Sequence, residues 1–299
     1  MDDRLKFAAF GGGLVVLFGA AFGIGSLTGD PAEPASGHHL SAVASTATST
    51  GLRPTEAGYT LSALSAPTTT GTSGSLRFRI DGPDGAPVTD YRDLHEKDLH
   101  LIAVRSDTTE YRHVHPVRDA AGTWSIDWAW PKPGTYRIFA DSQPAGAPGE
   151  LVLSTTVTVP GSAGDTPLPP VSRTTVVDGY QVRMDGDLST GGSAVSFTIS
   201  KDGKPVTDLQ PYLGAYGHLV ALRGNDLSYL HVHPEGEVGS TPAGPQVAFH
   251  AQAPSVTAYR LYLDFAHGGK VHTAEFTADG IGGAAPETNT HNQHGGGHQ

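Results

Sequence analysis

The sequence predicts an all-β protein, two tandem antiparallel β-sandwiches behind an N-terminal transmembrane helix. Three observations predict it: one long apolar run, an internal repeat, and short strand-like segments spaced by turn clusters. The length of 299 residues allows two domains at a soft prior of roughly 150 residues each. The 37% apolar content suffices for modest cores and is too low for a polytopic membrane protein. There is no cysteine, which excludes disulfides, thiolate metal sites, Cys nucleophiles and blue-copper centres. Met1 and Met184 are the only methionines, so a thioether-rich Cu(I) site is excluded as well. With 30 acidic against 19 basic residues and a net charge of −11, nucleic acid is not an expected partner.

Residues 1–29 form the membrane element. Phe7 to Leu27 carry no charge, and a helix of about 21 residues spans roughly the 30 Å hydrocarbon core. Arg4 and Lys6 precede the run and Asp30 and Glu33 follow it, which places the N-terminus in the cytoplasm and the remainder outside. The competing reading is a secretory signal peptide cleaved near Ala35-Ser36-Gly37, although such apolar regions are usually only about 7–15 residues long. Gly19 and Gly23 make a GxxxG pair of the kind that supports helix dimers. Residues 30–57, rich in Ser, Thr, Ala and Pro, read as a flexible extracytoplasmic stalk. Residues 280–299 read likewise as a disordered tail containing His291, His294 and His298.

The repeat occupies residues 58–160 and 179–279, joined by a Pro/Gly/Ser-rich linker over 161–178. The first copy reads GYTLS, GAPVTD, DLHLIAVR, YRHVHP and GTYRIFAD, and the second GYQVR, GKPVTD, GHLVALR, SYLHVHP and TAYRLYLD. Asp90, His100, His113 and His115 match Asp208, His218, His231 and His233 at one constant offset. Each copy holds about seven short runs rich in Val, Ile, Thr and aromatics, broken by clusters such as DGPDGAP and PKPG. That profile is immunoglobulin-like or cupredoxin-like. Trp124, Trp128 and Trp130 are confined to the first copy and are expected in core or edge packing, with a sugar-stacking surface as the alternative.

The histidines carry the functional reading. In a strand, residues i and i+2 share a face, so His113 and His115 lie together with Val114 turned away. Pairing HLIAVR with YRHVH so that Arg105 faces Glu110 sets His100 directly opposite His115, and the same register sets His218 opposite His233 with His231 beside them. A one-residue slip would disperse both clusters. Three imidazoles on one sheet face suit Zn(II), Cu(II) or Ni(II), and on the affinity order copper leads. Asp141 and its match Asp264, or Asp90 and Asp208, are candidate fourth ligands. His95, His267 and His272 occur in one copy only and are not expected in a shared site. The same face carries Ile102, Val104 and Tyr111, or Val220, Leu222 and Tyr229. It therefore also reads as a sandwich interior with hydrogen-bonded structural histidines. His38, His39 and the tail histidines resemble low-affinity metal tracts or solvated filler.

The paired HL…HxHP signature resembles a group of uncharacterised actinobacterial membrane-anchored or secreted proteins, over about Gly58 to Ala278. More distantly, each copy looks like the YtkA or CopC type of extracytoplasmic sandwich, some of which are linked to copper handling. The CopC-like site uses a mature N-terminal histidine, which this chain has only if cleavage follows Gly37. The resemblance thus implies the fold more than the function. No GxSxG, HExxH or P-loop is present, and no catalytic residue is assigned. The expected function is extracytoplasmic binding of a divalent transition metal, copper or zinc, as buffer, chaperone or sensor. His100, His113, His115, His218, His231 and His233 would be the ligands, with Asp141 and Asp264 as further candidates. Beyond the ion, a membrane metal transporter or another envelope protein is the expected partner. The alternative is a non-metal Ig-like envelope module that binds another protein.

Overall fold

Alternation along single strands builds each half of the molecule. In the strand Gly74–Asp81, Leu76, Phe78 and Ile80 are buried while Arg77 and Arg79 between them turn outward, the two-residue period of a sheet with one covered face. The computed structural model describes residues 50–230, 232–236 and 238–283, and every regular element among them is a β-strand. The membrane segment, residues 30–49 of the expected stalk and the tail from residue 284 lie outside the described residues. Thr55–Glu56 and Thr174–Val177, expected in stalk and linker, are strands, and the strand Lys270–Ile281 runs into the range expected as tail, because each pairs with a neighbouring strand of its sandwich. No described helix is long and apolar enough to cross a membrane.

Two sheets form the first repeat. One orders Thr55–Glu56, Tyr59–Ser65, Gly74–Asp81, Thr123–Trp128 and Val117–Arg118; the other orders Leu151–Val159, Gly134–Pro144, Leu99–Arg105 and Arg112–Val114. The second repeat follows the same plan. One of its sheets orders Thr174–Val177, Tyr180–Asp185, Ser193–Lys201, Gln246–Ala251 and Val232–Glu235. The other orders Leu188–Ser189, Lys270–Ile281, Ala258–His267, His218–Arg223 and Tyr229–Leu230. The ladders are antiparallel except between Leu188–Ser189 and Lys270–Ile281. The expected all-β tandem sandwich is therefore the architecture found. Trp124, Trp128 and Trp130 belong to the first core, with Trp130 Nε1 donating to Pro67 O at 2.7 Å.

A third apolar cluster lies between the repeats. Ile102, Val104, Phe139 and Val152 meet Val220, Leu222, Leu227 and Tyr262, flanked by Tyr111 and Tyr229. The contact is pseudo-two-fold: Tyr111 stacks on Tyr262 at 3.9 Å, and Tyr229 lies 5.6 Å from Phe139, which stands where Tyr262 stands in the other copy. This explains the unbroken apolar runs HLIAVR and HLVALR. Leu99, Leu101 and Ala103 face their own sandwich core while Ile102 and Val104 face the other repeat, so the strand is covered on both sides. The His-bearing face is thus not a sandwich interior; it is the outer face of a sheet, buried by the second repeat.

The linker is tied to this joint through Arg105, 2% exposed, which pairs with Asp107 and donates to Pro133 O at 3.0 Å and Ala163 O at 3.1 Å. Thr166 N donates to Asp107 Oδ2 at 2.8 Å. Gly134, at φ 133°, lets the guanidinium lie against the backbone; a Cβ there would sit 2.5 Å from Arg105 Nε.

Candidate functional site

The first hairpin adopts the register expected from the sequence. Leu101 faces Val114, Ile102 faces His113 and Ala103 faces Arg112, so continuation of the ladder brings His115 opposite His100. In the second repeat Ala221 faces Leu230 and Leu222 faces Tyr229, the equivalent register. Past His115 the chain leaves for the opposite sheet, where Val117 pairs with Ser125. A strand changing sheets at a corner, with Pro116 ending the first ladder, accounts for the HxHP motif. In the second repeat the crossing also occurs: His233 lies on the Val232–Glu235 strand, its backbone paired with His250. His231 and the side chain of His233 lie outside the described residues.

His100, His113 and His115 converge, each offering one ring nitrogen, with those atoms within 4.8 Å of one another. Their ring centroids are 5.2, 4.9 and 5.0 Å apart. Three imidazoles bonded at about 2.0–2.1 Å to one tetrahedral ion would hold their centroids at about 5 Å, so the arrangement fits such an ion.

Hydrogen bonds decide which nitrogens are available. A tight turn at Leu94–Lys97, with His95 at φ 51° and Glu96 at φ 64°, turns Leu94 O toward His100 Nε2 at 2.7 Å. A carbonyl only accepts, so Nε2 carries the proton and Nδ1 keeps its lone pair. His113 Nδ1 lies 2.9 Å from Asp264 Oδ2, a carboxylate of the second repeat, so His113 keeps its lone pair at Nε2. That Nε2 faces His100 Nδ1 at 3.0 Å, with His115 Nε2 3.1 Å from the same Nδ1. Two lone pairs at 3.0 Å repel; a shared proton or a cation makes the contact attractive. Carboxylate-to-imidazole bonds of this kind orient metal-binding histidines and raise their basicity.

Protons compete weakly here. Burial, followed by the neighbouring His113, lowers His100 to about 3; burial, then His113 and Lys97, lowers His115 to about 3. Both rings are therefore neutral, the ligand form, across the physiological range.

The other sequence-predicted residues distribute around this triad. His218 donates from Nε2 to Tyr212 O at 2.8 Å, across a turn at Tyr212–Ala215 that repeats the Leu94–Lys97 turn. Its ring stands 6.5 Å from His100 and 6.4 Å from His113, and burial lowers it to about 4. Asp264 also accepts from Thr273 Oγ1 at 2.6 Å. Asp141 accepts from Tyr229 Oη at 3.2 Å, and its carboxyl is raised well above the usual range by burial and by the Glu150 carboxylate. Asp208 instead contacts His267 Nε2 at 3.1 Å. His95, set aside because it lacks a counterpart, lies beside the cluster, 5.3 Å from His218 and 6.2 Å from His100. Its φ-positive turn position put it there, a placement that copy-to-copy matching does not detect. A cavity of about 60 Å³ is lined by His95, His100, His113, Asp141, Glu150 and His218, among others; that volume holds a few waters or an ion.

No curated protein matches the chain. Among solved structures it is similar to InvD of Yersinia pseudotuberculosis, at 11% identity and a TM-score of 0.24, over 76% of this chain and 58% of that one. It thus spans less than two thirds of that neighbour's length. Invasin, a bacterial integrin-binding protein, is similar over 74% of this chain and 39% of its own, at 12% identity and a TM-score of 0.20. One family model matches twice, over residues 55–161 and 174–280, the two sandwiches described above. By these two matches the chain belongs to the family described as Domain of unknown function (DUF8832).

Proposed function

We propose that the protein binds a divalent transition metal through His100, His113 and His115, as an extracytoplasmic buffer, chaperone or sensor and not as a catalyst. The observation that carries the reading is the facing of His100 Nδ1 and His113 Nε2 at 3.0 Å after Leu94 O and Asp264 have taken their opposite nitrogens. A donor set of imidazoles without any cysteine favours Cu(II), with Zn(II) next, on the affinity order for nitrogen sites. The extracytoplasmic placement rests on the charge-free run Phe7–Leu27 behind Arg4 and Lys6. A membrane metal transporter is the partner that such a placement suggests.

The test is titration of the full chain with Cu(II) and Zn(II), using protein in which His38, His39, His291, His294 and His298 are replaced by serine. The expected result is a sub-micromolar site that His113→Ala abolishes. Asp264→Asn should weaken it by about 10–100-fold, because the carboxylate no longer orients the ring. If the parent protein binds neither ion, and His113→Ala only lowers the unfolding temperature, the histidines are structural. The envelope protein-interaction module is then the function to pursue.

A further inference from the structure

Resting on that metal reading, we infer that the fourth coordination position belongs to His218 of the second repeat, so that the bound ion is a clasp between the two repeats. Three ligands come from one hairpin of the first repeat, and a tetrahedral ion leaves one direction open. The second repeat brings His218 close to two of the three, His100 and His113. The His218 ring is 6.5 Å from His100 and 6.4 Å from His113, where a ligating ring would stand at about 5 Å and a ring reached through a bound water at nearly 8 Å. A closure of about 1.5 Å across the joint would bring the His218 ring to the ligating separation.

The strand register makes this position specific. His218 and Asp264 are direct cross-strand partners, so the rung that supplies the acceptor for His113 also supplies His218. Tyr212 O holds the His218 proton on Nε2, as Leu94 O does for His100, and leaves a lone pair on Nδ1. His218 lines the same cavity as His100 and His113 and is only 8% exposed. The alternatives fit less well. Asp264 is engaged by His113 and Thr273, and His95 sits on an exposed turn. An ion so held would join the repeats by bonds, in addition to the apolar contact and the hydrogen bonds between them.

The experiment uses Co(II) as the probe on the full chain, again with the stalk and tail histidines replaced. The spectrum of the parent minus that of His113→Ala isolates this site. The expected parent spectrum is the intense visible absorption of four-coordinate Co(II). His218→Ala should lower affinity by about 10–100-fold or more and weaken that band, and free imidazole should restore it. Cysteine places Sγ close to where His218 carries Nδ1, and the chain has no other thiol. His218→Cys should therefore add a thiolate-to-cobalt charge-transfer band at the same stoichiometry. If both variants keep the parent affinity and spectrum and no charge-transfer band appears, the inference is overturned and the three-histidine site stands. If the parent shows no His113-dependent Co(II) site, the metal reading itself fails and takes this inference with it.

Discussion

His100, His115 and His218 are held neutral by burial, and this dictates the acid behaviour. Their folded values of about 3, 3 and 4 lie below the ordinary 6.5 of an unfolded histidine. Between those limits the unfolded chain binds more protons, so stability is complete above about pH 6.5 and is lost as the pH falls. The metal-free protein should lose at most ~4 kcal/mol per pH unit near pH 5 if all three contribute, measured by urea unfolding between pH 7 and 4. The same shifts predict that protons displace a metal from His100 and His115 at pH 5 less readily than from solvated histidines with ordinary values; equilibrium dialysis at pH 7 and pH 5 tests this. Asp141 works with the opposite sign. Its raised carboxyl favours the protonated folded form, so that contribution is lost as the pH rises. Asp141→Asn, which still accepts from Tyr229, should raise the unfolding temperature at pH 8 and raise it less at pH 5.

At the scale of elements, the hairpin and the turn before it act as one unit. The Leu99–Arg105 strand carries His100 at its start and Arg105 at its end. The first residue faces the candidate ion site and the second anchors the linker. Because Arg105 and Asp107 form a buried pair tied to Ala163 O and Thr166 N, Arg105→Ala should destabilise the protein by about 3–5 kcal/mol. It should also speed limited proteolysis within residues 161–178, read by mass spectrometry of the fragments. The turns at Leu94–Lys97 and Tyr212–Ala215 have unrelated sequences yet deliver the same carbonyl to the same ring nitrogen. Only backbone is needed for that task, so the side chains were free to diverge.

For the whole molecule, duplication created the joint. Matching strands from the two copies bury their outer faces on each other with pseudo-two-fold symmetry, as a symmetric dimer would. Tyr262 Oη donates to Thr108 O at 2.5 Å, and Tyr229 N to Thr50 O at 2.8 Å, adding polar ties to the apolar contact. Leu222→Ala, in the middle of that contact and fully buried, should cost about 2–5 kcal/mol. It should also separate one calorimetric transition into two as the repeats unfold independently. A metal bound at the joint should move the transitions back together.

The sequence by itself determined the two copies, their β character and the hairpin register. Each of these is local: a two-residue period, turn residues between runs, and matching positions at one offset. The grouping of His100, His113 and His115 followed from that register alone, because opposed side chains of a hairpin share a face. What the His-bearing face packs against was decided only by tertiary structure. An apolar face reads the same whether it meets its own second sheet or another domain, so Ile102 and Val104 did not reveal that Val220 and Leu222 cover them. Nor did the sequence show Asp264 as the partner of His113, or His218 and His95 beside the first triad. Those neighbours lie far along the chain and meet only because one sandwich docks on the other, and docking is set by the combined shape and burial of two surfaces that no single segment encodes.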